Sequence, residues 1–250
     1  MPTIRDYHRP ATIEEALELL ARDDVVTVPL GGGTTLNGLP KRVPEAVVDL
    51  QLLGLDEIAY RDSTLVIGAM TTLSQLVSHE MTPAAIVGLA KREAPNTIRN
   101  AATLGGTVGT ANSESPLLAG LLAYDATVTI VGPDERTDVD LADLLTDGSK
   151  SESRLIHSVQ ISVHGDAAWE STQRTPADTP IVLVVGRRNG AGQVHLTATG
   201  VATTPVYIDP LDLDRLDPPS DFRGSSDYRR HLARVLTARV MARLDTGGAD

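Results

Sequence analysis

The chain has no cysteine, which excludes disulfides, thiolate metal sites, iron–sulfur clusters held by its own residues and a cysteine nucleophile. Chemistry of that kind has to sit on a partner. Aromatic residues are scarce, 3% of 250, with a single Phe and a single Trp, so there is no stacking platform for bases. Basic charge is outweighed: 22 Lys and Arg against 33 Asp and Glu leave a formal net charge of −11, the opposite of a nucleic-acid footprint. No apolar run approaches the ~20 residues that span a bilayer, and the polar opening, residues 1–10, lacks the pattern of a signal peptide. These absences lead us to expect a cytoplasmic protein with no membrane segment and no nucleic-acid partner. His8, His79, His157, His164, His195 and His231 have no ligand-like spacing, so no metal site is expected.

Glycine is present in two concentrated turns. The run Val25, Val26, Thr27, Val28 and Leu30 is too short and β-branched for a helix and reads as a strand. It delivers the chain into Gly31, Gly32, Gly33, Thr34 and Thr35. A second turn, Thr103, Leu104, Gly105, Gly106 and Thr107, is placed to face it. Without a Cβ, glycines leave backbone N–H groups unobstructed, so such nests cradle phosphate oxygens, and threonine hydroxyls add hydrogen bonds. The pair reads as two walls around one diphosphate, with Leu36 and Leu104 packed beneath. The spacing is neither the G-x-G-x-x-G of a dinucleotide fold nor that of a P-loop, which needs a Lys. For either stretch alone, a tight turn is the plainer alternative. Asn112, Ser113, Glu114 and Ser115 form a polar loop within reach of such a ligand.

The remaining elements follow from periodicity and caps. Thr12 and Glu15 suit a capping box before a helix over 13–22. Residues 46–50 read as a second strand, expected to pair in parallel with the first. Strands over 57–60 and 64–67, helices toward Ser78 and from Pro83 to Ala90, a buried helix over 116–123, a strand over 126–131, a helix over 141–145 and a strand over 154–163 come next. Residues 181–185, 194–199 and 201–207 resemble antiparallel strands, and Asn189-Gly190 is the strongest hairpin signal. A final helix spans 228–243, in which Arg229, Arg230, Arg234, Arg239 and Arg243 read as a solvated face. Strands and helices without regular βαβ spacing favour α+β over a doubly wound sheet.

Several ordered segments resemble one family. They are Tyr7-His8-Arg9-Pro10-Ala11-Thr12-Ile13-Glu14-Glu15-Ala16, the first glycine turn, Val48-Asp49-Leu50, residues 65–72, Ile98-Arg99-Asn100-Ala101-Ala102-Thr103-Leu104-Gly105-Gly106, Leu121-Leu122-Ala123-Tyr124-Asp125-Ala126 and Asp221-Phe222-Arg223-Gly224-Ser225-Ser226-Asp227-Tyr228-Arg229-Arg230. Together they are similar to the FAD-binding (medium) subunit of molybdenum hydroxylases, the family of the carbon monoxide dehydrogenase flavoprotein and the xanthine dehydrogenase flavin domain.

The resemblance implies an α+β fold. A two-subdomain PCMH-type FAD-binding domain would cover residues 1–165, with subdomains of about 1–52 and 53–165. A small C-terminal α/β domain of antiparallel strands and helices would cover 166–250. FAD is the implied cofactor, its diphosphate held by Gly31, Gly32, Gly33, Thr34 and Thr35 on one wall and Thr103, Gly105, Gly106 and Thr107 on the other. The family's flavin-contacting Asp falls at Pro116, with Glu114 the nearest acid; Thr107 replaces a common Asn, and a Lys common near residues 169–174 is absent. The implied function is an FAD-dependent oxidoreductase subunit of a multi-component dehydrogenase, with no catalytic side chain of its own. Its partners would be a molybdenum-cofactor subunit and a 2Fe-2S subunit that supplies electrons, and its acceptor NAD, a quinone or oxygen. Two other classes stay open: a scaffold subunit that has lost FAD, and a stand-alone flavin oxidoreductase.

Overall fold

The computed structural model describes residues 4–35, 45–147, 154–175 and 178–247. The fold is α+β and is built on three sheets that follow one another along the chain.

The first is a parallel sheet in the order β1-β3-β2, made of β1 (Asp6–His8), β2 (Thr27–Leu30) and β3 (Ala46–Asp49), with α1 (Ile13–Leu20) after β1. The Thr12 hydroxyl accepts from the Glu15 amide at 3.2 Å, and the Glu15 carboxylate accepts from the Ala11 amide at 3.1 Å. Two donors at the helix start are thereby satisfied. Ala16, Leu17 and Leu20 pack against Val48 and Leu50. The strand β1 carries no signal in the sequence, because three residues are too few to show a period.

The second sheet runs β4-β5-β8-β6-β7 and is antiparallel throughout. It begins with the hairpin β4 (Ile58–Arg61) and β5 (Thr64–Gly68). Five helices follow: α2 (Leu73–Ser78), α3 (Ala84–Glu93), α4 (Asn96–Arg99), α5 (Leu104–Thr110) and α6 (Pro116–Ala123). Then come β6 (Thr127–Val131), β7 (Arg136–Asp140), α7 (Leu141–Asp147) and β8 (Leu155–Ser162). The predicted second glycine turn is corrected here: its residues form the first turn of α5, capped by Thr103. Glycine is a poor helix former, and burial of Leu104 and Val108 holds this helix in place.

The third sheet is antiparallel, in the order β12-β11-β10-β9. It comprises β9 (Asp166–Thr172), β10 (Val182–Arg188), β11 (Val194–Thr199) and β12 (Val206–Tyr207), and α8 (Ser226–Asp245) covers one face through Leu232, Leu236, Val240 and Leu244. The Asn189-Gly190 hairpin forms with a longer loop than that dipeptide suggests. The Asn189 amide donates to the Gln193 carbonyl at 2.9 Å, and Gly192, not Gly190, takes a positive φ, +81°. The expected solvated arginine face is broken by Arg229, only 1% exposed.

Helix α6 joins the second and third sheets. All eight of its residues are buried, the mark of a helix enclosed on every side. Leu117, Leu118, Leu121 and Leu122 belong to the core of the second sheet, whereas Ala119 and Ala123 meet Leu183 and Val185 of β10. Beyond its end, Asp125 receives Arg187 at 3.3 Å and lies 2.5 Å from His195 Nδ1, and the Tyr207 hydroxyl donates to the Leu122 carbonyl at 2.8 Å. The Arg187 guanidinium also stacks over Tyr124, whose hydroxyl is pushed up to about 12 by burial.

Candidate functional site

The first glycine stretch leaves the end of β2 and lies against the start of α5. A Cβ on Gly31 would sit 2.7 Å from the Thr103 hydroxyl, and one on Gly32 would sit 1.6 Å from the Ala101 carbonyl oxygen. The two stretches therefore meet, and only glycine permits that approach. Gly33 differs: its φ is +69°, and a Cβ there would touch only Leu30, at 3.4 Å. Thr34 and Thr35 are exposed.

The second wall is anchored through its backbone. Leu104 donates to the Thr71 carbonyl at 2.9 Å, Gly105 to the Ala69 carbonyl at 2.8 Å and Thr107 to the Thr103 carbonyl at 3.0 Å. Gly106 donates to the Thr103 hydroxyl at 3.1 Å. The amides of α5's first turn are thus all engaged. A Cβ on Gly105 would strike Ala69 at 2.7 Å, so that glycine serves packing, while one on Gly106 would meet only the Thr103 hydroxyl, at 3.0 Å. The Thr107 hydroxyl donates to the Thr103 carbonyl at 3.1 Å. By contrast, the amides of residues 31–35 donate to no backbone carbonyl among the described residues. Among the described residues, the amides without a backbone acceptor are therefore those of the first stretch, and the amides of α5's first turn are used within the fold. Leu104 is buried beneath, and Leu36 lies outside the described residues.

The polar loop that follows α5 turns at Ala111, with φ +48°, and the Glu114 amide donates to Asn112 Oδ1 at 3.1 Å. Glu114 itself forms an ion pair with Arg223. Ser115 caps α6, accepting from the Leu118 amide at 3.1 Å and donating to Glu93 at 2.8 Å. The same Glu93 oxygen accepts from the Leu117 amide at 3.0 Å. Burial pushes the Glu93 carboxyl above its usual range, and the hydrogen bonds from Leu117 and Ser115 only partly oppose that. Glu93 and Arg223 escape sequence reasoning: Glu93 belongs to no motif, and Arg223 sits inside Asp221-Phe222-Arg223-Gly224, a segment whose similarity marks only a helix entry. Among the described residues no group of three or more His, Asp or Glu could hold a metal, and no helix is long and apolar enough to cross a membrane.

A family profile described as the FAD binding domain in molybdopterin dehydrogenase matches residues 3–162. The chain is 28% identical over 261 residues to the protein YgfM of Escherichia coli K12, covering 99% of both chains. It is 28% identical over 282 residues to the carbon monoxide dehydrogenase medium chain of Afipia carboxidovorans, covering 97% of each. Among solved structures, quinoline 2-oxidoreductase from Pseudomonas putida 86 matches with a TM-score of 0.86 at 22% identity, over 98% of both chains. That likeness carries the fold. The residues present fit the group this family binds: a Cβ at Gly33 or Gly106 would meet only one neighbouring atom, and the amides of residues 31–35 have no backbone acceptor among the described residues.

Proposed function

Because the chain belongs to the family of FAD-binding domains of molybdopterin dehydrogenases, we propose that it is the electron-transfer subunit of such a dehydrogenase. It takes electrons from a partner 2Fe-2S subunit, which a molybdenum-cofactor subunit serves, and passes them to an external acceptor such as NAD, a quinone or oxygen. Its cofactor is FAD, whose flavin ring accepts and gives electrons singly or in pairs. The lack of cysteine fits this division of labour, since cluster ligands must then lie on another chain. The setting is the cytoplasm. Residues 1–165 form the FAD-binding domain in this reading, with subdomains of about 1–52 and 53–165, and residues 166–250 the C-terminal domain.

The observation that carries the reading is the asymmetric cradle. The amides of Gly31, Gly32, Gly33, Thr34 and Thr35, which have no backbone acceptor among the described residues, would hold the diphosphate, a role for which N–H groups in a glycine nest are suited. Gly106 lets it lie close to α5, and the Thr103 hydroxyl offers a further donor. Gly31 and Gly32 set the distance between the walls, and Gly105 lets the second wall pack on Ala69. Thr107, whose hydroxyl is turned to its own helix, and Glu114, paired with Arg223, contribute at the edge of the site.

The test is electron transfer with and without partners. The FAD-loaded chain is expected to be reduced by a reduced 2Fe-2S subunit of its complex and reoxidised by an added acceptor. Organic substrates alone should leave its flavin band unchanged. Direct bleaching by a small substrate in the isolated chain would overturn the relay in favour of a stand-alone oxidoreductase.

A further inference from the structure

We propose that Arg223 is a positioning residue, which reaches from the C-terminal segment to clasp Glu114 and so fixes the loop of residues 112–115 for FAD binding. This rests on the cofactor reading above. Arg223 bridges two carboxylates: Nη2 donates to Glu114 and, at 3.1 Å, to Asp221 Oδ2, and Nε donates to the same Asp221 oxygen at 3.2 Å. Asp221 is itself fixed from behind. Its Oδ2 accepts from Arg229 Nη2 at 2.8 Å, and its Oδ1 accepts from the amides of Arg223 at 2.8 Å and Gly224 at 3.2 Å. Arg229 is buried and donates through Nη1 to the carbonyls of Ile181 at 2.9 Å and Gly200 at 3.0 Å. A rigid path therefore runs from the third sheet through Arg229, Asp221 and Arg223 to Glu114.

The charges in this path balance, two carboxylates against two guanidiniums, so removing Arg223 leaves one negative charge in excess beside the loop. Arg229 is committed to backbone carbonyls and cannot replace it. A second tether confirms where the loop is held: the Gly200 amide donates to the Ser113 carbonyl at 3.5 Å, while Ser115 is fixed from the other side by Glu93. The loop is thus spanned between α3 and the C-terminal sheet directly after the helix that forms the second wall. The planar arginine fork, shared here between two carboxylates, transmits position as well as charge.

The experiment uses the full chain. FAD affinity is measured by flavin fluorescence for the wild type, Arg223→Met, Arg223→Lys, Arg223→Glu and the exchanged pair Glu114→Arg with Arg223→Glu. Amide hydrogen exchange over residues 111–117 is followed on the FAD-free chain. Arg223→Met is expected to weaken FAD binding and speed loop exchange about tenfold each, the effect of one charge-assisted contact, with an unchanged far-UV spectrum. Arg223→Lys, which keeps the charge but not the planar fork, should recover part of both losses, and the exchanged pair, whose new carboxylate still faces Asp221, should do better than Arg223→Glu alone, which a general loss of stability would not predict. Unchanged exchange in Arg223→Met, or an exchanged pair no better than Arg223→Glu alone, overturns the proposal. A wild type that takes up no FAD overturns the cofactor reading separately, while loop exchange still decides whether Arg223 holds the loop.

Discussion

At the scale of single residues, the glycines of the two stretches divide by what a side chain would meet. A methyl group on Gly32 overlaps the Ala101 carbonyl, so Gly32→Ala has to force the walls apart. It is expected to lower stability by roughly 2–3 kcal/mol, the usual cost of overpacking with backbone shift, as well as FAD binding, read by urea unfolding and cofactor titration. Gly106→Val puts its branch next to the Thr103 hydroxyl, the one atom a Cβ there would meet, on the surface proposed for the diphosphate. It should abolish FAD binding while costing at most about 1 kcal/mol of stability, from crowding of the branched side chain, since valine is a better helix former than the glycine it replaces. Equal effects of the two substitutions would contradict this division. That the two glycine stretches approach each other closely was legible in the sequence, since a run without Cβ atoms signals such approach. Which glycines serve packing and which face open space was not, because that depends on Ala69, Ala101 and Thr103 brought in by folding.

At the scale of elements, α6 shows both the reach and the limit of sequence reasoning. Its apolar run, with Ser115 and Pro116 at its start, is readable as a buried helix. Its anchor is not, because Glu93 lies 22 residues before Ser115. The raised Glu93 pKa makes a test with a defined sign. An acid whose folded value lies above its unfolded value of 4.5 favours the fold most at low pH, and that contribution is lost as pH rises through the folded value. Glu93→Gln keeps an oxygen to accept from Leu117 and Ser115 but carries no charge. It should therefore raise the Tm relative to wild type at pH 8, with the gain disappearing below pH 4.5. A gain that grew on acidification would contradict the assignment. Elements missed in the sequence have physical reasons too: β7 is a polar edge strand, and α5 begins with residues that propensity alone assigns to a turn.

At the scale of the whole molecule, the α+β class and the parallel pairing of the first sheet were readable from periodicity and element order. The contacts that join the sheets were not. Asp125 and His195 are 70 residues apart, and Asp125 and Arg187 are 62 apart; no local pattern announces such pairs. Asp125 takes a φ of +52°, which Asn tolerates, so Asp125→Asn removes the charge and leaves the turn intact. Arg187 keeps the carbonyls of Ser162 and His164, and Asp125 is 41% exposed. The loss is therefore expected to be about 1–2 kcal/mol, below that of a fully buried pair, seen as a lower urea midpoint with an unchanged m value. A neutral result would contradict the anchoring role of this junction. The central claim, that the asymmetric cradle holds FAD, is tested most directly by the visible absorption spectrum of the purified chain before and after incubation with FAD, with the released cofactor identified. Flavin bands at about one FAD per chain, lost in Gly106→Val, are expected; a folded chain that stays colourless after reconstitution would contradict the account.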